Sequence, residues 1–337
     1  MMKTGAANPL AFDRKKVTIF FLDHIIEVCL VILIVGLTFG ANGFLTWSNW
    51  MNIFRSNSLK GVIAFGMTMV IIAGLIDLSI GSTVGLAGVI VALACRELPA
   101  FGVDINLACV IGMLLSLVLA VVVGWTQGFF QHKTGMPAFI VSLASLYALF
   151  GLAAILSGGY PIANQFPDWF NQLGMGRVGG QSGIPIPAII LAISFLIVLF
   201  IMGYTTTGRA TYAVGGNPES ARLSGINVGK TKIFVLISVQ ILAVVSGFMT
   251  AGQVMAGTYS FGKGWELDVI AAVVVGGTSF TGGVGTVWGT LVGVIFMGVM
   301  TNGMTLLNFD IYVQYIVKAI IVFLAVLLSS YRAQVKA

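Results

Sequence analysis

Ten apolar runs, most of them about 15–24 residues long, dominate this sequence and limit what the chain can fold into. Lipid offers backbone N–H and C=O groups no hydrogen-bond partner, so a segment that crosses a membrane must be a helix or a strand of a closed barrel. Barrel strands show about ten residues of alternating polarity, and these runs are longer and do not alternate. We therefore predict an all-α integral membrane protein with about ten transmembrane helices. The runs cover residues 25–40, 60–77, 79–95, 107–130, 137–157, 185–203, 233–256, 268–281, 284–303 and 311–330.

The composition supports a surface that mostly faces lipid. Only 8% of the residues are charged, whereas soluble domains carry about 25%. We therefore predict one transmembrane domain over residues 1–337. No basic run is interleaved with aromatic residues, so we expect no nucleic-acid binding. Cys29, Cys95 and Cys109 form no CxxC pair, and we expect free thiols rather than a metal site, although Cys95 and Cys109 flank one short loop.

Lysine and arginine placement predicts the orientation of the chain. Basic residues concentrate in the tail 1–24, in the loop 204–232 and near the C-terminal end, whereas the long loop 158–184 holds only Arg177. Cytoplasmic loops carry such an excess. We therefore expect a multi-pass protein of the cell inner membrane, with both termini in the cytoplasm.

The segment 41–60 fits this orientation less well. It lies on the outer side in the predicted topology, yet it contains Arg55 and Lys60. It also contains Trp47 and Trp50, and tryptophan is enriched at membrane surfaces. These residues suggest an interfacial helix before the second span.

Spans two to five begin outside in this topology, and spans seven to ten begin inside. Each block has a glycine-rich break beside an acid, at Asp77–Gly81 in the first and at Asp268 with Gly276–Gly283 in the second. Two blocks of opposite orientation suggest an inverted repeat, which is common among transporters. Three glycines at helical spacing also predict a close helix contact, within one subunit or between two: Gly285, Gly289 and Gly293.

The loop 204–232 contains the pattern of a short capped helix. Asn217 is suited to the N-cap, Pro218 to the first helical position and Glu219 to the first turn, and Gly225 would end the helix. Such an element suits docking into the groove of a partner, but an ordinary polar connector has the same composition. The loop does not predict a nucleotide site, because three residues instead of four separate Gly225 from Gly229-Lys230.

Several motifs together resemble the permease subunits of ribose- and galactose-type ABC sugar importers, from about residue 44 to 330. The tail and the loop 158–184 match this family poorly. The motifs are Gly66-Met67-Thr68, Asp77-Leu78-Ser79-Ile80-Gly81, residues 208–227, Glu266 to Ser279, Gly282 to Thr286 and Tyr315-Ile316-Val317-Lys318-Ala319.

The resemblance implies several partners. They are separate ABC ATPase subunits, a periplasmic or lipoprotein sugar-binding protein, and a second permease copy or a paralogue. It also implies that 204–232 is a cytoplasmic coupling loop that touches the ATPase. The coupling residues would be Gly208, Arg209, Gly215, Gly216, Asn217, Pro218, Glu219, Ala221, Ser224, Gly225 and Ile226.

Polar residues within the spans form two predicted groups. Amides and hydroxyls can exchange hydrogen bonds with a sugar or between helices, and both uses stay open for Thr68, Gln240, Gln253 and Asn302. Charges in a bilayer mark a pathway or a fixed pair, and we favour capping of broken helices for Asp77, Ser79, Asp268 and Lys318.

The outer side contains a third group. Aromatic residues and arginine suit a surface that docks a binding protein, although tryptophan also suits the membrane interface. This group comprises Trp169, Arg177, Lys263, Trp265 and Glu266.

These observations predict the membrane subunit of an ATP-driven importer for a monosaccharide or a related neutral polyol. The alternatives are an ion-coupled secondary transporter and a branched-chain amino-acid ABC permease. We expect no catalytic site and no cofactor, because the sequence offers neither a nucleophile–base pair nor an HExxH motif.

Overall fold

The computed structural model describes residues 24–163 and 165–336, with side chains through residue 327. The helices are α1 Ile25–Gly40, α2 Trp47–Ile72, α3 Ile80–Glu97, α4 Ile105–Thr134, α5 Ala138–Ser157, α6 Gln172–Met175, α7 Ile186–Tyr204, α8 Thr206–Gly216, α9 Pro218–Leu223, α10 Val228–Val254, α11 Trp265–Val275, α12 Val287–Leu306 and α13 Ile311–Lys336. Short strands form two antiparallel pairs, β1 Ile162–Ala163 with β4 Ala256–Gly257 and β2 Arg177–Val178 with β3 Ile184–Pro185. Except for His24, the predicted tail 1–24 lies outside the described residues.

Every predicted span has a helical counterpart, and α1 has the predicted bounds. Within the described part of the chain, six helical segments are long and apolar enough to cross a membrane: Ile80–Phe101, α4, α5, α7, α10 and α12. The all-α membrane architecture is thereby confirmed. Helix α11 has 11 residues, which is about 16 Å. The count of ten spans and the inverted repeat stay predictions.

The segment 41–60 is not a separate interfacial helix, and that prediction was wrong. Residues 47–72 form one continuous helix, whose first turn is capped because Thr46 accepts a hydrogen bond from the Asn49 N–H. Helix α2 contains no proline, and a neighbouring helix satisfies part of its polar start. The Asn49 side chain, for example, exchanges hydrogen bonds of 2.9–3.0 Å with Asn302 of α12.

Helices α2 and α10 form the centre of the bundle. From Val62 to Ile72 every residue of α2 is buried. Gly66 permits a close approach to α10, because an added Cβ would lie 2.8 Å from the Val239 Cα. Helices α4, α5, α7 and α13 are peripheral, and they expose large apolar side chains that suit contact with lipid: Leu114, Phe139, Leu196 and Phe323.

The predicted glycine ridge of α12 is confirmed as a close contact within this chain. A Cβ added at Gly289 would collide with the Gly276 carbonyl, and one added at Gly293 would collide with the Ala272 carbonyl. The ridge therefore lets α12 lie directly on the backbone of α11. Gly285 lies just before α12 and packs against the side chain of Thr278.

The two ends of the bundle have different connections. The basic end comprises residues 131–137, 205–227 and 276–286, and the His132 ring there packs on Gly229. The opposite end comprises 41–46, 98–104, 158–185 and 307–310. It is stabilised by hydrogen bonds from indole N–H groups, Trp47 to the Ser182 carbonyl at 2.6 Å and Trp169 to the Asn106 side chain at 2.9 Å.

Residues 257–267, which separate two of the predicted spans, are mostly not a surface loop. Its first part runs back along α3, with Gly257 against Gly88, Tyr259 against Gly85 and Gly262 against Gly81. Three glycines on one side of α3 make room for a second backbone there. The chain therefore re-enters the bundle before α11 begins at Trp265.

Candidate translocation and coupling sites

A buried carboxylate lies in the break between α2 and α3. Asp77 accepts hydrogen bonds from the Ser79 N–H at 2.8 Å, from the Ser79 hydroxyl at 2.7 Å and from Gln240 Nε2 of α10 at 2.6 Å. A buried carboxylate is costly unless such donors surround it. Asp77 therefore accepts a backbone N–H at the helix break, as the capping role favoured from the sequence requires, whereas the Ser79 side chain donates to Asp77 and makes no cap hydrogen bond to α3.

The hydrogen-bond network around Asp77 joins three helices. Gln127 of α4 donates to the Ser79 hydroxyl at 2.8 Å, and Thr83 of α3 donates to Gln240 Oε1 at 2.5 Å. All of these side chains are buried. Gln127 Oε1 has no hydrogen-bond partner among the described residues, and Gln127 lines a mainly apolar pocket of about 430 Å³ between α4 and α5.

A charged cluster lies where α11 begins. The Asp268 carboxylate accepts a hydrogen bond from Lys60 of α2, and its two oxygens lie 3.4 Å from Lys318 Nζ of α13. The Asp268–Lys318 contact is the fixed pair that the sequence left open beside the favoured capping role, whereas Lys60 was predicted to lie in an outer segment. One carboxylate therefore links three helices through two ammonium groups.

The charged cluster is only partly buried and has aromatic neighbours. The side chains of Lys60, Asp268 and Lys318 are 36%, 24% and 16% exposed. Lys60 Nζ lies 5.4 Å from the centroid of the Trp265 ring, and Lys318 Nζ lies 5.9 Å from that of Tyr315. Both separations are typical of cation–π contacts.

At the basic end, the stretch 204–232 is mostly helical, whereas the sequence predicted a loop there. It contains helices α8 and α9 and the start of α10. The predicted capped helix is confirmed, because Asn217 accepts a hydrogen bond from the Ser220 N–H at 2.9 Å and Gly225 has a φ of +84° beyond the end of α9. On the exposed face of α9, the hydrogen bond from Arg222 lowers the pKa of Glu219 below its ordinary value.

The break between α2 and α3, the break between α11 and α12, and helix α8 meet in one place. We call this place the glycine junction (residues 72–74, 215–216 and 282–285). The Gly283 N–H donates to the Ile72 carbonyl at 2.8 Å, and the Tyr212 hydroxyl donates to the Gly285 carbonyl at 2.9 Å. A Cβ added at Gly215 would lie 2.7 Å from the Gly283 nitrogen and 2.8 Å from the Ile72 carbonyl carbon. No side chain therefore separates the backbones of residues 72, 215 and 283 at the junction.

The residues predicted for a translocation path do not form one group. Thr68 is buried, and its hydroxyl lies 2.6 Å from that of Thr290, whereas Gln240 belongs to the Asp77 network. Asn302 pairs with Asn49, and Gln253 lies at the end of α10 beside Gly174. In this structure Thr68, Gln240 and Asn302 therefore form hydrogen bonds between helices, which is one of the two uses that the sequence left open. Their contact with substrate stays a prediction.

The residues predicted to dock a binding protein are Trp169, Arg177, Lys263, Trp265 and Glu266. The structure divides them between two places. Trp169 is exposed at the opposite end of the bundle, where Arg177 lies in β2, and Lys263 is also exposed. Trp265 and Glu266 are half-buried at the start of α11, where Trp265 packs on Lys60 and Glu266 packs against Gly81.

Sequence reasoning missed Lys60 and Gln127 as members of these sites. The available signal was a single charge or amide inside an otherwise apolar run, which marks a buried polar contact in a membrane. It could not identify the partners, because Asp268 is 208 positions from Lys60 and Ser79 is 48 positions from Gln127.

The chain matches a family model described as the permease component of the branched-chain amino acid transport system, over residues 49–326. It is 35% identical over 303 residues to the ribose import permease protein of Escherichia coli strain K12, covering 90% of this chain and 92% of that one. It is 38% identical over 316 residues to the ribose import permease protein of Haemophilus influenzae, covering 93% and 94%. Identity to the xylose transport system permease protein of E. coli strain K12 is 31% over 344 residues, covering 85% and 86%. No solved structure gives a significant match.

The matched region begins in α2 and ends in α13. It therefore contains the Asp77 network, the charged cluster, helices α8 and α9 and the glycine junction. The resemblance inferred from the sequence motifs is confirmed by these comparisons, and the chain belongs to this family of transport-system permease components.

Proposed function

We propose that this chain is the membrane-spanning subunit of an ATP-driven importer that carries a monosaccharide or a related neutral polyol across the cell inner membrane. The observation that carries the proposal is the similarity to two ribose import permeases over about nine tenths of each chain. The fold supports it, because several apolar helices surround buried polar sites.

The charge distribution favours a neutral substrate. An amino acid presents a carboxylate and an ammonium group, and each needs a partner in a low-dielectric path. In the described bundle, Asp77 is held by amide and hydroxyl donors, and Asp268 is held between two lysines. A sugar needs only the exchange of hydroxyl hydrogen bonds.

Helices α8 and α9 are the proposed contact for the ATPase. They are short, they carry the residues that the family resemblance assigns to coupling, and α9 is exposed at its Glu219–Arg222 pair. The glycine junction supports this role, because it joins α8 to both breaks. A displacement of α8 would therefore act on both breaks together.

The remaining partners follow the same proposal. The basic end faces the cytoplasm, where ATPase subunits hydrolyse ATP, and both termini lie on that side. A sugar-binding protein docks at the opposite end near Trp169 and Arg177. A second copy of this chain or a paralogue completes the path.

The test is uptake by vesicles that contain the permease, its ATPase and its binding protein. Labelled pentoses, hexoses, inositol and leucine are supplied singly and in competition, with and without ATP. We expect ATP-dependent uptake of one or more neutral sugars and no competition by leucine. Uptake of leucine without competition by any sugar would support the amino-acid alternative, and uptake driven by an ion gradient without ATP would support a secondary transporter.

A further inference from the structure

We propose that Lys60, Asp268 and Lys318, with the rings of Trp265 and Tyr315, form a contact site for the sugar during translocation. This inference rests on the proposed function and assigns part of the path. It differs from the sequence-based expectation, which treated Asp268 and Lys318 as helix caps and Trp265 as part of a docking surface.

The charged cluster lies deep in the bundle. Lys60 is 13 residues from the start of α2 and 12 from its end, which places it roughly 18–20 Å from either end. Lys318 is seven residues into α13, or about 10 Å. A ligand that moves between the two ends of the bundle would pass this depth.

The exposure of these charges indicates a wet surface. Ammonium and carboxylate groups at membrane depth are costly when they face hydrocarbon, and they normally face a water-filled cavity or another protein surface. Lys60 and Asp268 retain 36% and 24% exposure of their side chains. Their exposed face therefore does not suit contact with lipid, and we assign it to the water-filled path.

The chemistry of this site fits a polyol. An ammonium group has three donors and a carboxylate has about four acceptor positions. Among the hydrogen bonds of the described residues, Lys60 Nζ donates only to Asp268, and Asp268 accepts only from the two lysines. Donors and acceptors therefore remain for vicinal hydroxyls, and the half-buried Trp265 and exposed Tyr315 rings offer apolar faces for the C–H side of a sugar.

The experiment measures how strongly the importer discriminates against sugars that lack one hydroxyl. In the reconstituted importer, uptake per ATP hydrolysed is compared for the transported sugar and each of its monodeoxy analogues. Wild-type permease is compared with Lys60→Gln, Trp265→Leu and the milder Trp265→Phe. Trp288→Leu is the matched control, because Trp288 is an exposed tryptophan on α12 whose ring lies 6.2 Å from that of Phe195, outside the cluster.

We expect Lys60→Gln to abolish most of the preference against one particular deoxy analogue, a change of about tenfold if that hydroxyl bonds to the ammonium group. Trp265→Leu should lower uptake per ATP about fivefold or more for all analogues, Trp265→Phe should retain most of it, and Trp288→Leu should retain all of it. If Lys60→Gln leaves the discrimination unchanged and Trp265→Leu leaves uptake per ATP unchanged, the cluster is a structural ion pair only and the inference is wrong. If the wild-type importer takes up no sugar, the proposed function itself fails.

Discussion

The glycine junction makes a sharp prediction about coupling, because two adjacent glycines of α8 have opposite surroundings. A Cβ at Gly215 would collide with the backbone of α2 and of residue 283, whereas a Cβ at Gly216 meets no atom within 4 Å. Neither glycine has a left-handed φ. Gly215→Ala and Gly216→Ala therefore add the same methyl group to the same helix, and only the first should separate the three backbones.

The required displacement can be taken from the geometry. The added Cβ at Gly215 would overlap the Ile72 carbonyl oxygen and would lie 2.7 Å from the Gly283 nitrogen, whereas ordinary contact begins at 3.4 Å. Residue 283 would have to move by about 0.7 Å and the Ile72 carbonyl by more, and both are backbone rather than flexible side chains. Overpacking of this kind costs typically 1–3 kcal/mol, which shifts an equilibrium by roughly 5- to 150-fold.

The assay is sugar uptake and ATP hydrolysis by the reconstituted importer. We expect Gly215→Ala to insert and assemble but to lose about fivefold or more of its uptake per ATP. Gly216→Ala should lose less uptake per ATP than Gly215→Ala, because its methyl group finds open space within the chain and can affect only the surface proposed to contact the ATPase. Size-exclusion chromatography with the ATPase checks assembly for both variants.

Two results would refute this reasoning. Normal uptake per ATP by Gly215→Ala would mean that the close contact at Gly215 plays no part in transport. An equal loss in both variants would place the effect at the outer surface of α8, the proposed ATPase contact, rather than at the junction.

Three further predictions concern stability and nucleotide binding. Asp77→Asn places an amide donor against the Gln240 amide, and it should destabilise the permease by about 1–3 kcal/mol. The loss should appear as a lower Tm in detergent, and a Tm equal to that of wild type would contradict the Asp77 network. Gly293→Ala should lower the stability of the permease by about 1–3 kcal/mol, because its Cβ collides with α11. In the same assay, Gly151→Ala should be neutral or mildly stabilising, because its Cβ has open space. Equal effects of the two variants would contradict the glycine ridge. The purified permease should retain no labelled ATP, and retention that Lys230→Ala abolishes would show a nucleotide site.

Local features were predictable from the sequence because they depend on neighbouring residues. The cap at Asn217 and the stop at Gly225 need only a few consecutive side chains, and both are confirmed. The bounds of α1 follow from one apolar run between polar ends. The spacing of Gly289 and Gly293 predicted a close contact, although only the structure identifies α11 as the partner.

Features that depend on distant partners were not predictable. The polar start of α2 looked like a surface helix because the groups that form hydrogen bonds with it, such as Asn302, lie about 250 residues away in the sequence. The segment 256–262 looked like a surface loop for the same reason. Its place inside the bundle is set by the glycines of α3, among them Gly81 and Gly85.

The structure connects the glycine junction to the charged cluster through rigid elements. Helix α2 ends at the junction and carries Lys60 about 18 Å from that end, at 1.5 Å per residue. Helix α11 leads into the second break and carries Asp268 in its first turn. Because helices transmit displacement along their axes better than loops do, a movement of α8 applied at the junction reaches both partners of the Lys60–Asp268 pair. The two breaks are about 200 residues apart in sequence, yet they share the Gly283–Ile72 hydrogen bond. A single movement at the basic end can therefore change the separation of two charges at mid-depth, which is what the proposed coupling of ATP hydrolysis to sugar release requires.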